Sequence, residues 1–139
     1  MRQHSIKTTY LIHHTLINNS AVSELISENN IFLLVAEPEV NYPYAVIKRT
    51  GIMSGRGDKD YIEDTVNFRI DVYSDKYDQA ADIADAIRFA LEGWVLQDSS
   101  IRLTNITLTS ANEDWITDAY EQSISFKAEV SGPITTDNS

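Results

Sequence analysis

Cysteine is missing from all 139 positions of the chain. That excludes a disulfide scaffold, thiolate-bound zinc and a cysteine nucleophile, and it leaves the redox compartment open. Basic residues are scarce, 11 lysines and arginines against 21 aspartates and glutamates, for a formal charge of −10. A grip on nucleic acid needs clustered cations facing phosphate. Here they are scattered, and the strongest pair, Lys48-Arg49, occupies consecutive strand positions that face opposite ways. Tight nucleic-acid binding is not expected, although an acidic surface can stand beside DNA without holding it. Long hydrophobic runs are also lacking. The longest, Ile31–Ala36, falls far short of the roughly 20 residues that cross a bilayer. No basic stretch leads into an apolar one near the N-terminus, so neither secretion nor a membrane partner is expected.

Catalytic signatures are thin as well. The three histidines are His4, His13 and His14, and helical neighbours point about 100° apart, so His13 and His14 cannot chelate one ion together. There is no Gly-x-Ser-x-Gly elbow and no His-Glu-x-x-His. No enzyme, cofactor or metal site is expected.

What is present is a globular composition, 42% apolar and 23% charged. The length suits one domain, expected over residues 1–131, with a flexible tail at 132–139. The organising stretch is Tyr61–Leu91. Val66, Phe68, Ile70 and Val72 form one apolar row, and Thr65, Asn67, Arg69, Asp71 and Tyr73 form the other side. This is a strand with one buried face. At Ser74-Asp75 the period changes, and Tyr77, Ala80, Ala84, Ile87 and Leu91 follow at helical spacing. Ser74 or Asp75 suits an N-cap and Gly93 a stop.

Before this, Ser5–Asn18 reads as a helix with Ile6, Tyr10, Ile12, Leu16 and Ile17 on its apolar side. Ala21–Glu28 reads as a second short helical piece. Ile31–Ala36 should be a short buried strand and Tyr44–Thr50 another, entered through Tyr42-Pro43. Gly51–Asp60, with three glycines, reads as a long mobile hairpin loop. After the helix, Ile101–Ser110 is a strand whose apolar parity shifts near Thr104-Asn105, the mark of a bulge. Ala111–Asp118 reads as a turn and Tyr120–Val130 as the last strand. With no βαβ repeat, the expectation is an α+β domain: a mostly antiparallel sheet of about five strands with two main helices on one face.

The remaining motifs have plain readings. Asp78, Asp82 and Asp85 lie on the polar side of the helix and read as its solvated face rather than a cation site. Phe89 shares that face, where an aromatic ring suits a subunit contact. Asp58, Asp60, Glu63 and Asp64 suggest calcium, but the calcium-loop glycine and glutamate are replaced by Glu63 and Arg69. Gly55-Arg56-Gly57 lacks the third glycine of a dinucleotide loop. Arg56-Gly57-Asp58 spells an integrin tripeptide that chance suffices to explain.

Taken together, Ile31–Ala36, the Tyr42-Pro43-Tyr44-Ala45-Val46 strand entry, the Gly/Ser-rich loop closed by acids and the Val66–Leu91 strand-to-helix run resemble the tail-completion or tail-terminator proteins of long-tailed bacteriophages. The likeness runs over roughly Leu11–Val130. It implies a virion structural protein whose copies close into a ring, commonly of six, on the head-proximal end of the tail tube. The implied partners are further copies of the chain, tail-tube protein and the head connector, and the implied location is the virion neck, after assembly in the host cytoplasm. Candidate interface residues are Gly51, Met53, Ser54, Gly55, Arg56, Gly57, Asp58, Lys59, Asp60, Arg69 and Phe89. The alternatives are a small non-viral protein-binding module and, more remotely, a metal-dependent hydrolase built on the acidic clusters.

Overall fold

In the computed structural model, which describes residues 4–55 and 61–133, the alternating stretch forms the long strand β3 (Tyr61–Ser74). Val66, Phe68, Ile70 and Val72 are all fully buried. β3 stands at the middle of a six-stranded sheet of order β1-β2-β3-β6-β5-β4. The other strands are β1 (Ile31–Leu33), β2 (Tyr44–Gly55), β4 (Leu96–Gln97), β5 (Arg102–Ile116) and β6 (Ala119–Pro133). Every pairing is antiparallel except β1 with β2. The sixth strand, against the expected five, is the two-residue β4, too short to announce itself by periodicity.

Three helices follow the same logic: α1 (Thr8–Ile17), the single turn α2 (Ser20–Ser23) and α3 (Tyr77–Leu91). α3 has the bounds its spacing predicts and buries Ala80, Ile83, Ala84, Ile87, Ala90 and Leu91. Each isoleucine or leucine so buried contributes about 1.5–3 kcal/mol. The main helices cover one face of the sheet, where Phe68 and Phe126 stack with ring centroids 5.2 Å apart. α1 touches β1 and β2 at one edge and β4 at the other, so the sheet curls around it.

Several expectations need correction. The cap of α3 is neither Ser74 nor Asp75: the helix starts from Lys76, which gives no side-chain cap. Ser74 instead accepts the Lys76 N–H at 3.0 Å and donates to Gln79 Oε1 at 2.6 Å, tying strand end to helix start. Ile31–Ala36 is not a buried strand throughout. It pairs over three residues, then Leu34 adopts φ 70° and, with Val35, turns into solvent. Leu11 of α1 is buried, whereas Ile6, in the 3₁₀ turn before it, and Tyr10 are 70% and 64% exposed. Gly51–Gly55 is not loop but the end of β2, paired with Glu63–Asn67 past a register shift between Arg49 and Gly51. The rest of that expected loop, residues 56–60, lies outside the described residues, as does most of the expected tail, while β6 continues to Pro133. Ala111–Ile116 is likewise strand rather than turn, and the reversal is confined to Thr117-Asp118, with Thr117 at φ 59°. Cross-strand pairing carried these polar hairpin ends into the ladder although their own sequences alternate poorly.

The bulge is where the parity shift puts it. The β5–β6 register jumps between Thr104 and Thr107, and Asn105 takes φ 53°. The extra residue lets Ile106 follow Leu103 into the core, at 1% exposure.

Candidate subunit interface

Among the surfaces of the described residues that combine exposed apolar groups with charge, two lie at the ends of α1. The first is a groove of about 540 Å³ where the end of α1 and α2 meet α3, lined by Thr15, Ala86, Phe89, Trp94, Asp82 and Asp85 among others. Helical spacing forces this arrangement. Once Ala80, Ala84, Ile87 and Leu91 face the core, Asp78, Asp82, Asp85 and Phe89 must point outward. Phe89 is 73% exposed and Trp94 61%. Trp94 Nε1 donates to the Phe89 carbonyl at 3.0 Å, which ties the indole to the helix end, and both residues line the groove. Gly93, at φ +81°, makes the turn that brings Trp94 back over the helix end.

The second surface lies at the opposite end of α1. The residues His4–Lys7, including a 3₁₀ turn, pack beside Ile52 and Ser54 of β2, and Ser5 Oγ donates to Asp64 Oδ2 at 2.6 Å. Ile6 and Tyr10, one helical turn apart, stand outward together. Arg49 Nη1 donates to the Ile6 carbonyl at 2.7 Å, and Lys7 is exposed alongside. The ion pairs among the described residues are Arg69–Asp71 and Arg88–Glu92, so neither Lys7 and Arg49 here nor Asp82 and Asp85 in the groove have a partner of opposite charge among those residues.

The sheet face away from the helices is polar but organised. Asp71, 6% exposed, receives Arg69 Nε at 3.0 Å and Ser123 Oγ at 2.6 Å. At its end, Tyr42, Tyr44 and Tyr73 stack in sequence, 5.8 and 4.8 Å between centroids. Tyr42 donates to Asp118 Oδ1 at 2.7 Å, and that carboxylate pushes its phenol up to about 12. Burial, then the hydrogen bond to Glu121, raises Tyr73, and burial raises Tyr44. On the helix side, Tyr77 donates to Glu113 at 2.7 Å, which holds that carboxyl below its usual range. Glu92 joins helix to sheet: it accepts the Leu108 N–H at 2.7 Å and Arg88 Nε at 2.8 Å, and both lower its pKa.

The interface residues expected from sequence are thus dispersed. Gly51, Met53, Ser54 and Gly55 lie on the outer half of β2, and Arg69 lies mid-sheet in its pair with Asp71. Phe89 is on the groove, and Arg56–Asp60 fall outside the described residues. Sequence reading missed Trp94, Ile6 and Tyr10 as surface aromatics and aliphatics. Trp94 follows the helix stop directly, a signal that was available; Ile6 and Tyr10 carry helical spacing and gave no sign of exposure. His13 Nε2 lies 3.0 Å from the Ile31 carbonyl, a helix-to-strand tie. Among the described residues no three His, Asp or Glu side chains are grouped to hold a metal ion, and no helix is long and apolar enough to cross a membrane.

Comparison with known proteins bears on this arrangement. A chain of the virion of a native gene transfer agent particle superposes with a TM-score of 0.69 at 20% identity, over 87% of this chain and 92% of that one. A second solved chain matches with a TM-score of 0.55 at 12% identity, over 88% and 94%. At such identities these likenesses establish the fold. No curated protein matches the sequence. The family model described as tail completion protein gp17 matches residues 11–129, nearly the whole described fold. The chain belongs to the tail completion protein gp17 family.

Proposed function

We propose that copies of this chain close into a ring, six in number, at the head-proximal end of a phage tail tube, where the ring ends tube growth and receives the head connector. The observation that carries this reading is the family match along residues 11–129. Membership makes the chain a phage tail structural protein and not an enzyme. The likeness to a chain of a gene transfer agent virion supports a place within a particle. A ring needs two unlike patches on each copy, so that every contact is head to tail and the last closes on the first. The acidic groove and the basic apolar face at the two ends of α1 meet that need. The charge of −10 suits a channel through which DNA passes without being held. The outer half of β2 (Gly51–Gly55), residues 56–60 and Arg69 are further contact residues in this reading.

Removing the chain from an assembling phage tests it. Tubes should then grow beyond their set length, and filled heads should accumulate unjoined. Complete, infectious virions of normal tail length formed without the chain would overturn it. Membership of a phage family leaves the non-viral binding module without a supporting observation.

A further inference from the structure

Neighbouring copies need a specific seat for one another, and the geometry points to one: the groove beside Phe89 and Trp94 on one copy receives the Ile6–Tyr10 face of the next. This pairing rests on the ring reading above and names the two faces of its repeating contact.

The fold leaves large apolar side chains bare at both ends of α1. Phe89, Trp94, Ile6 and Tyr10 are each more than 60% exposed, at 73%, 61%, 70% and 64%. Single exposed apolar residues are ordinary, but each of these pairs forms a patch, the kind of surface a partner covers. The patches do not overlap. Along α1 the nearest members of the two, Tyr10 and the groove-lining Thr15, are roughly 7.5 Å apart at 1.5 Å per residue, and Ile6 lies further off, before the helix begins. One copy can therefore use both at once. Their charges complement each other: Asp82 and Asp85 rim the groove, and Lys7 and Arg49 flank Ile6, where the carboxylate lining the same hollow, Asp64, is engaged by Ser5 Oγ at 2.6 Å. None of the four has an ion-pair partner among the described residues. In the seated contact the Ile6 and Tyr10 side chains cover Phe89 and Trp94, and Lys7 and Arg49 face the two aspartates at the rim. Aromatic anchors surrounded by a charged rim are the usual anatomy of a stable protein contact. Apolar on apolar supplies the attraction, and the charges fix which end meets which. A groove meeting a groove, the symmetric alternative, would set acid against acid.

The absence of native cysteine makes the test clean. His4→Cys, beside the Ile6 face, and Ala21→Cys, on the lining of the groove, are introduced singly and together, so that Ile6, Tyr10, Phe89 and Trp94 stay in place. Assembled tails carrying each variant are treated with a short bis-maleimide and resolved under denaturing conditions. The double variant should give a ladder of linked copies rising to the full ring. Each single variant should stay monomeric, and a mixture of the two singles should stop at dimers. A double variant present in tails but unlinked overturns the pairing and leaves the tail role standing. Dimers from Ala21→Cys alone overturn it too, because they mean a symmetric contact. Absence of the wild-type chain from tails would overturn the ring reading and the pairing with it.

Discussion

Tyr42, Tyr44 and Tyr73 stack at the end of the helix-free face, where Asp118 and Glu121 supply carboxylate acceptors. A phenol that donates to a carboxylate resists ionisation, since its anion would face a negative oxygen. Tyr42 ordinarily ionises near 10.0 and here near 12. The folded value is the higher one, so the contact's stabilisation is complete below 10.0 and is lost as pH rises through 12. Phenolate absorbance should therefore show a subset of the seven tyrosines titrating late. Asp118→Asn should move one of them back toward 10.0. A single transition of all seven near 10.0 would contradict the stacked arrangement. At the centre of the core, Phe68 is fully buried against Phe126. Phe68→Ala should cost about 4 kcal/mol, read from denaturant unfolding. A loss below about 1 kcal/mol would mean that the site collapses to fill the space or is not the core.

Among the elements, the β3–α3 unit was the most legible in the sequence, because one hydrophobic period gives way to another within three residues and both apolar faces meet the same interior. The bulge near Asn105 was legible for the same reason, as a slip of parity. The hairpin ends were not. Gly51–Gly55 and Ala111–Ile116 are polar or irregular, and only pairing with a partner strand makes them extended. Nor was the exposure of Ile6 and Tyr10, which follow helical spacing although the 3₁₀ turn carrying Ile6 packs beside β2. Two junctions at the end of α3 carry predictions. Gly93 takes φ +81° with nothing within 4 Å of where a Cβ would stand. Gly93→Ala should therefore cost about 1 kcal/mol through backbone strain alone. An unchanged melting temperature would contradict the left-handed turn. Glu92→Gln should cost about 1 kcal/mol at neutral pH, since both groups it accepts from favour the ionised acid. Its folded pKa is lowered, so the wild-type advantage exists above the ordinary carboxylate value and fades as pH falls through the folded one. Equal stability of both proteins at every pH would remove this link between helix and sheet.

For the whole molecule, the curled sheet around α1 explains why one small chain can present two unlike surfaces. The sheet edges converge on α1, whose two ends stay open, one carrying Asp82, Asp85, Phe89 and Trp94, the other Ile6, Tyr10, Lys7 and Arg49. A composition poor in lysine and arginine concentrates meaning in the few that are exposed. Phe89 was visible in the sequence as an aromatic on a polar face, but its partner surface was not, because that depends on where the sheet stops. The most direct measurement is a cryo-electron microscopy reconstruction of the particle's neck. One closed ring of this fold is expected at the head-proximal end of the tube, with the Phe89 groove of each copy filled by the Ile6 face of its neighbour. Density for the chain elsewhere in the particle, or copies there with no contact between them, would contradict it.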